Sequence, residues 1–168
     1  MMWSGCGRYI VTADTNGKAI LWSTESWELR RRLFADEHVV ESIVFSNDSK
    51  WLVTCGDINY VRMWSVETDE RMASFHGHKG PVYHAAFSSD NKLLATASFD
   101  KTVRVWSTET GKQVRRIKFK TPVNEVAFTV NDTMLIVRSW NKAIKTVQLA
   151  TRKFTITTRL VYADDAVP

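Results

Sequence analysis

Residues 77–107, GHKGPVYHAAFSSDNKLLATASFDKTVRVWS, decide how this chain folds. Three short apolar runs in this stretch, PVYHAAF, LLATAS and VRVW, are separated by polar segments that contain Ser, Asp, Asn and Lys. Runs rich in Val, Leu, Thr and aromatic residues between such segments are typical of β-strands joined by turns. A fourth run, QVRRIKF, follows after the turn sequence STETGK. The stretch with its continuation therefore predicts four short strands in succession.

The same pattern recurs along the chain at a nearly constant interval. Trp22, Trp64 and Trp106 are spaced by 42 and 42 residues, and an aromatic residue precedes each by 19 positions. A fourth copy keeps the register, with Phe128 standing 19 positions before Val147, where a Trp would be expected. A period of about 40 to 45 residues indicates a repeat architecture. No segment sustains the periodicity of a helix longer than about one turn, so the array should be all-β.

The stretch from Gly77 to Trp106 resembles a WD (tryptophan-aspartate) repeat, because it begins with Gly-His, ends with Trp and has Asp100 before its third strand. The resemblance covers nearly the whole chain, although each of the three repeat tryptophans is followed by Ser and not by the family's Asp. It implies a β-propeller, in which four-stranded blades are arranged radially.

We therefore expect an all-β chain of about four antiparallel four-stranded blades. The expected blades are residues 1–34, 35–76, 77–119 and 120–160, and residues 161–168 form a C-terminal tail. The resemblance implies about seven blades, so the ring should be open or incomplete and be completed by further blades or within a larger complex. The end blades would then expose apolar residues: Ile10, Leu21 and Trp22 at one end, and Leu135, Ile144 and Val147 at the other.

Composition narrows the class of protein. The chain has 168 residues, 44% of them hydrophobic and 24% charged, which predicts a soluble globular protein. No apolar run approaches the roughly 20 residues of a membrane helix. We find no secretory signal, which predicts a cytoplasmic or nuclear protein. Cys6 and Cys55 have neither CxxC spacing nor enough partners for a disulfide framework or zinc site, so no metal or cofactor is expected.

His78, Ser98 and Asp100 could be taken for a hydrolase triad. The sequence contains no nucleophile-elbow motif, and the resemblance implies that these residues form a structural hydrogen-bond network with Trp106. Such a network would satisfy buried polar groups within the blade and make it rigid. We therefore expect no catalytic activity, and we expect only the third blade to hold the complete network.

The family resemblance also places partner-binding residues at the end of the blades where the loop before the innermost strand meets the turn before the third strand. By match to the third blade and by register elsewhere, these are Pro81, Tyr83 and Phe99, then Val39, Glu41 and Asp57, then Pro122, Asn124 and Trp140, and finally Thr15. Exposed aromatic residues there would anchor a protein or peptide partner. Alternatively, the aromatic side chains pack on the adjacent blade. Glu41 and Asp57 would form an acidic sector that accepts Lys or Arg.

A second functional hypothesis comes from the charge distribution. Residues 112–163 contain 11 Lys and Arg against two Asp and Glu. Clustered basic residues favour phosphate surfaces, so an RNA partner in a ribonucleoprotein complex is the alternative. Basic residues on outer strands also prevent sheets from joining edge to edge, which would account for them without any ligand.

Overall fold

The computed structural model describes residues 1–14, 16–34, 39–57, 59–68, 70–149 and 156–159. These residues form strands and no helix. The strands are β1 (Met2–Trp3), β2 (Tyr9–Ala13), β3 (Lys18–Ser23), β4 (Leu29–Phe34), β5 (Val40–Phe45), β6 (Trp51–Gly56), β7 (Tyr60–Ser65), β8 (Arg71–His76), β9 (Val82–Phe87), β10 (Leu93–Ser98), β11 (Thr102–Ser107), β12 (Gln113–Lys118), β13 (Val123–Phe128), β14 (Met134–Ser139), β15 (Ile144–Gln148) and β16 (Ile156–Arg159).

Four antiparallel sheets of four consecutive strands follow one another along the chain, and we call them blades one to four. Each blade begins with its innermost strand, and β1, β5, β9 and β13 contact one another in that order. The blades thus form an open arc within the part of the chain that the structure describes. The predicted all-β fold of four-stranded blades is confirmed. None of the described residues belongs to a helix that could cross a membrane.

The hydrophobic core lies between the blades. One cluster joins blades one and two, a second joins blades two and three, and a third joins blades three and four. Val53, Leu94 and Val137 are fully buried members of these contacts. A sheet covered on both faces can be apolar on both faces, which accounts for the continuous apolar runs of the middle strands.

The prediction that the two end blades expose six named apolar residues is wrong for several of them. Leu21 is 1% exposed, and Leu135 and Val147 are fully buried. These side chains point from the end blades toward the neighbouring blade, because alternate residues of a strand lie on opposite faces. The outward face carries other residues, such as Ile136, which is 41% exposed.

Hydrogen bonds at one end of the blades join each blade to the next. The turn after the innermost strand of blades two, three and four contains one non-glycine residue with positive φ, a conformation that Asn and Asp tolerate best. The side chain of that residue accepts a hydrogen bond from a backbone N–H of the preceding blade. The bonds run from Cys6 N to Ser49 Oγ (3.1 Å), from Asn47 N to Asn91 Oδ1 (2.8 Å) and from Ser89 N to Asp132 Oδ2 (2.9 Å).

We predict that Asp132→Gly weakens the attachment of blade four to blade three and so destabilises the protein. The substitution keeps the left-handed backbone accessible but removes the acceptor for Ser89, so the free energy of unfolding should fall by about 1 kcal/mol. Asp132→Asn retains a carbonyl acceptor and the tolerance for positive φ, and it should cost less. Urea unfolding of both variants tests the prediction, and equal stability of the two would show that the bond between blades contributes nothing.

Candidate functional site

A β-bulge interrupts the innermost strand of blades two, three and four at the same place. The strand pairing skips one residue in each case: Glu41 in β5, Tyr83 in β9 and Asn124 in β13. A bulge bends the strand and redirects the side chain of the extra residue. The repeat spacing therefore presents three chemically different side chains at equivalent positions.

One turn residue lies beside each bulge. The backbone N–H of Asp57, Phe99 and Trp140 donates to the carbonyl oxygen of Val39, Pro81 and Pro122, at 3.2, 2.9 and 3.1 Å respectively. The bond ties the turn between the second and third strands to the loop that enters the innermost strand. We call this end of the blades the top face, and define it by Glu41, Asp57, Tyr83, Phe99, Asn124 and Trp140.

Three aromatic residues of the top face form one cluster across blades three and four. The ring centroids of Tyr83 and Phe99 are 6.4 Å apart, those of Tyr83 and Trp140 6.0 Å, and those of Phe99 and Trp140 5.7 Å. Two of the three pairs are edge-to-face, which is a favourable arrangement for aromatic rings. Phe99 nevertheless remains 45% exposed and Trp140 55% exposed. The rings therefore pack against the adjacent blade and also face water, and the anchoring of a partner by these rings stays a prediction.

The acidic residues of blade two lie next to this aromatic cluster. Glu41 and Asp57 are exposed, and no ion pair joins either carboxylate to another described residue. Burial raises the pKa of the Tyr83 phenol, and the negative charges of Glu41 and Asp57 raise it further. The top face therefore combines exposed aromatic rings with two unpaired carboxylates.

The remaining predicted face residues contribute differently. Pro81 is half-buried, and its carbonyl oxygen accepts from Phe99 N and from Ser98 Oγ. Asn124 is also half-buried, and its Oδ1 is buried without a hydrogen-bond partner among the described residues. Thr15 lies outside the described residues.

A buried chain of hydrogen bonds supports the top face from within blade three. The Trp106 indole N–H donates to Thr96 Oγ1 at 2.9 Å, and Thr96 Oγ1 is 2.8 Å from His78 Nε2. His78 Nδ1 is 3.0 Å from Asp100 Oδ2. Every group is paired if the neutral His78 ring carries its proton on Nδ1 and donates to Asp100, while the Thr96 hydroxyl donates to Nε2.

Asp100 anchors this chain to the loops of the top face. Its carboxylate accepts from Lys79 N at 3.0 Å, and from Thr102 N at 2.9 Å and Thr102 Oγ1 at 2.6 Å. The lysine belongs to the loop before the innermost strand, whereas Thr102 begins the third strand. The carboxylate therefore holds together the two segments that position Phe99.

Ser98 has a different role from the one that the sequence suggested, and Thr96 takes the place expected of it. Ser98 Oγ donates to Pro81 O at 2.7 Å and accepts from Asp100 N at 3.1 Å, so it braces the loop without touching His78 or Trp106. Thr96 is the link between the histidine and the tryptophan, a role that was not predicted from the sequence. Its position ten residues before Trp106 is the signal that was available.

The threonine–tryptophan bond recurs in the first two blades. Trp22 Nε1 donates to Thr12 Oγ1 and Trp64 Nε1 donates to Thr54 Oγ1, each at 3.0 Å. Blade four has Val137 and Val147 at the equivalent positions, both fully buried. Replacing both partners with apolar groups leaves no buried polar atom unpaired, so the loss of this bond is tolerated.

The two titratable groups of this hydrogen-bond network, His78 and Asp100, have pKa values that fit a structural role. Burial lowers the pKa of His78, although the hydrogen bond and charge of Asp100 act in the opposite direction. Burial opposes ionisation of Asp100, but hydrogen bonds from His78, Thr102 and Lys79 N outweigh it and hold the pKa of the carboxyl well below its usual value. A neutral, fully buried imidazole between two fixed partners has no access to a substrate.

His84 is the second partly buried histidine of the described residues, and it lies in blade three. His84 lines a cavity of about 210 Å³ between the innermost strands of all four blades, and burial lowers its pKa. Among the described residues, no three His, Cys, Asp or Glu side chains are grouped closely enough to hold a metal ion.

Comparison with known proteins identifies two of the repeats. The family model described as WD domain, G-beta repeat, matches residues 27–65 and residues 69–107. Each matched segment contains the outermost strand of one blade and the three inner strands of the next blade. A comparison with curated proteins finds no match for this sequence.

We predict that Thr96→Val destabilises the chain by about 1 to 3 kcal/mol, because it leaves the Trp106 indole N–H and His78 Nε2 buried without their shared partner. Thr54→Val is the matched control. It removes the same hydroxyl beside the half-buried Trp64, which has solvent access, and it should cost less. Chemical denaturation measures the free energy of unfolding of both variants. Equal losses would show that the hydrogen-bond network of blade three contributes no more than the single threonine–tryptophan bond of blade two.

We predict that Trp106→Phe also costs about 1 to 3 kcal/mol, since it keeps an aromatic ring but removes the donor. Ser98→Ala should be milder, because Asp100 keeps its other donors. In the double variant with Thr96→Val, the loss should be smaller than the sum of the single losses, as both partners are then gone. Additive losses in this cycle would mean that the two side chains do not interact.

We predict that the stability of the chain falls as the pH is lowered through the range in which histidine titrates. The pKa of His78 is below its ordinary value of 6.5 in the folded chain, so the unfolded chain binds the proton first. The stabilisation that depends on a neutral His78 ring is complete at pH values above the ordinary pKa of 6.5. It is lost as the pH falls through the lower pKa that His78 has in the folded chain. Urea unfolding from about pH 7.5 to about pH 5 measures the effect.

His84→Gln separates the two buried histidines in this experiment. The pH dependence should largely survive in this variant and flatten in His78→Gln. The opposite pattern would assign the effect to the central cavity instead of the buried chain in blade three.

Proposed function

We propose that this chain, which belongs to the WD-repeat β-propeller family, is a non-catalytic module that binds a protein or peptide partner on its top face. WD-repeat propellers generally mediate protein interactions. The observation that carries the proposal is the exposed aromatic cluster of Tyr83, Phe99 and Trp140. The blades would act as a rigid scaffold that presents the top face to other subunits of a larger complex.

The cluster differs from exposed apolar residues such as Trp27 and Val130. Trp27 is 68% exposed and Val130 is 99% exposed, but they stand in separate turns of blades one and four. Scattered apolar residues of this kind are ordinary on protein surfaces. Phe99 and Trp140 instead belong to two blades and contact each other through Tyr83 and directly. Aromatic anchors surrounded by polar groups are the usual centre of a binding surface.

The backbone around the cluster is fixed before any partner arrives. Phe99 and Trp140 are tied by their backbone N–H groups, and Asp100 fixes the loop and strand on either side of Phe99. A preorganised surface loses little conformational entropy on binding, which favours affinity.

Nucleic-acid binding has weaker support. Arg138 forms an ion pair with Glu125, and the Lys145 ammonium lies 5.7 Å from the centroid of the Phe119 ring. These two basic side chains already have partners within the protein. Arg115 and Arg116 are consecutive in β12, so their side chains point to opposite faces of the sheet.

We predict that Tyr83→Ala with Phe99→Ala abolishes the capture of peptides selected on the wild-type chain from a random phage-displayed library. Phe99 is exposed, Tyr83 is half-buried and neither belongs to a core cluster, so the variant should remain folded, as circular dichroism and the unfolding midpoint will show. Met72→Ala with Val130→Ala removes exposed apolar side chains elsewhere and should leave capture unchanged.

The rival function is tested by measuring RNA affinity. An RNA-binding chain would lose RNA affinity on charge reversal at Arg115, Arg116, Lys142 and Lys145, and its affinity would fall steeply between about 50 and about 200 mM salt. Selected peptides that bind the Tyr83 and Phe99 variant as well as the wild type would contradict the proposed function.

A further inference from the structure

We propose that the top face recognises an arginine side chain of a basic peptide, held between the exposed aromatic rings and the carboxylates of Glu41 and Asp57. This inference rests on the proposed function and names the chemistry of the partner. The surface spans three blades, with the carboxylates on blade two, Tyr83 and Phe99 on blade three and Trp140 on blade four.

The aromatic part of the surface is suited to a cation. Aromatic rings attract a cation placed over their faces, and the attraction is strongest for Trp. Trp140 and Phe99 are each about half exposed. The two rings meet edge-to-face with centroids 5.7 Å apart. In this arrangement neither ring covers the whole face of the other, as it would in a parallel stack. Their free ring surfaces are therefore available to a planar ligand.

The acidic part of the surface gives the sign of the charge. Glu41 occupies the bulge and Asp57 the turn of blade two, the positions that Tyr83 and Phe99 occupy in blade three. The innermost strand of blade two, β5, packs directly against β9 of blade three, so Glu41 and Asp57 lie on the blade next to Tyr83 and Phe99. The two carboxylates have no cationic partner among the described residues, so an incoming cation would not have to displace one.

Arginine fits this pairing better than lysine does. The guanidinium group is planar, stacks on aromatic faces and presents several N–H donors in one plane. It can therefore lie on Trp140 or Phe99 and donate to a carboxylate at its edge, where such charge-assisted bonds are strong. A lysine ammonium is compact and more strongly hydrated, so it would use the carboxylates and gain less from the rings.

The experiment uses the peptides selected on the full chain whose capture requires Tyr83 and Phe99. We expect arginine to be enriched in them, and we expect a synthetic copy with citrulline in place of that arginine to bind at least about tenfold more weakly in calorimetry. Citrulline keeps the planar shape and loses the charge. A copy with lysine should fall between the two.

Variants of the protein test the carboxylates. Glu41→Gln with Asp57→Asn should weaken binding of the arginine peptide by about tenfold and leave the citrulline peptide unaffected. Glu25→Gln with Glu109→Gln is the matched control, because it removes the same net charge from exposed turns at the opposite end of the blades. This control should change the affinity little.

The outcomes separate the inference from the proposed function. Peptides that need Tyr83 and Phe99 but lack arginine, or that bind the Glu41 and Asp57 variant normally, overturn the arginine proposal and leave the interaction face standing. A peptide that prefers lysine or trimethyllysine to arginine overturns it as well. If no selected peptide depends on Tyr83 and Phe99, the proposed function fails and the inference fails with it.

Discussion

Blades two and three are four-stranded sheets with apolar residues on both faces, and this forces each of them to lie between two neighbours. The three core clusters all lie at contacts between blades. Burial of apolar surface drives this packing but has little directional preference. The hydrogen bonds onto Ser49, Asn91 and Asp132 supply direction, since each fixes one turn against the preceding blade. The nearly constant repeat length follows, because a residue inserted within a blade would displace both the core contact and the bond.

The same constraint produces the top face. Once the blades are held in register, the bulge of each innermost strand falls beside the turn before its third strand. The framework is then free to carry different side chains at these two positions, because they lie outside the core. Blade two has Glu41 and Asp57, blade three has Tyr83 and Phe99, and blade four has Asn124 and Trp140. A recognition surface can thus be assembled from several blades without altering the packing that supports it.

The sequence predicted the parts of this structure that depend on periodicity. Tryptophans 42 residues apart and strand-like runs between polar turns were enough for the blades, and the family resemblance placed Tyr83 and Phe99 on a common face. Contacts between side chains of different blades were not predictable, because spacing along the chain does not say which rings meet across a gap. The cluster with Trp140 depends on how closely blades three and four approach.

The polar network was predicted only in part, for a similar reason. His78, Asp100 and Trp106 are the residue types that the resemblance names, whereas Thr96 and Ser98 are hydroxyls two positions apart on one strand and on the same face. Which hydroxyl reaches the indole depends on the register between β10 and β11, where Thr96 lies opposite Arg104 and Leu94 opposite Trp106. The recurrence of Thr12, Thr54 and Thr96 ten residues before a tryptophan carries that information, but it has meaning only once the blades are aligned.

The blades bring Tyr83, Phe99 and Trp140 together before any partner binds. Nuclear Overhauser effects between the aromatic protons of these residues, measured on the isotope-labelled full chain without a ligand, test this most directly. The account predicts cross-peaks for all three ring pairs, and it predicts their loss for the Trp140 pairs alone in Trp140→Ala. Cross-peaks between Tyr83 and Phe99 with none to Trp140 in the wild-type chain would contradict it, since the site would then belong to one blade.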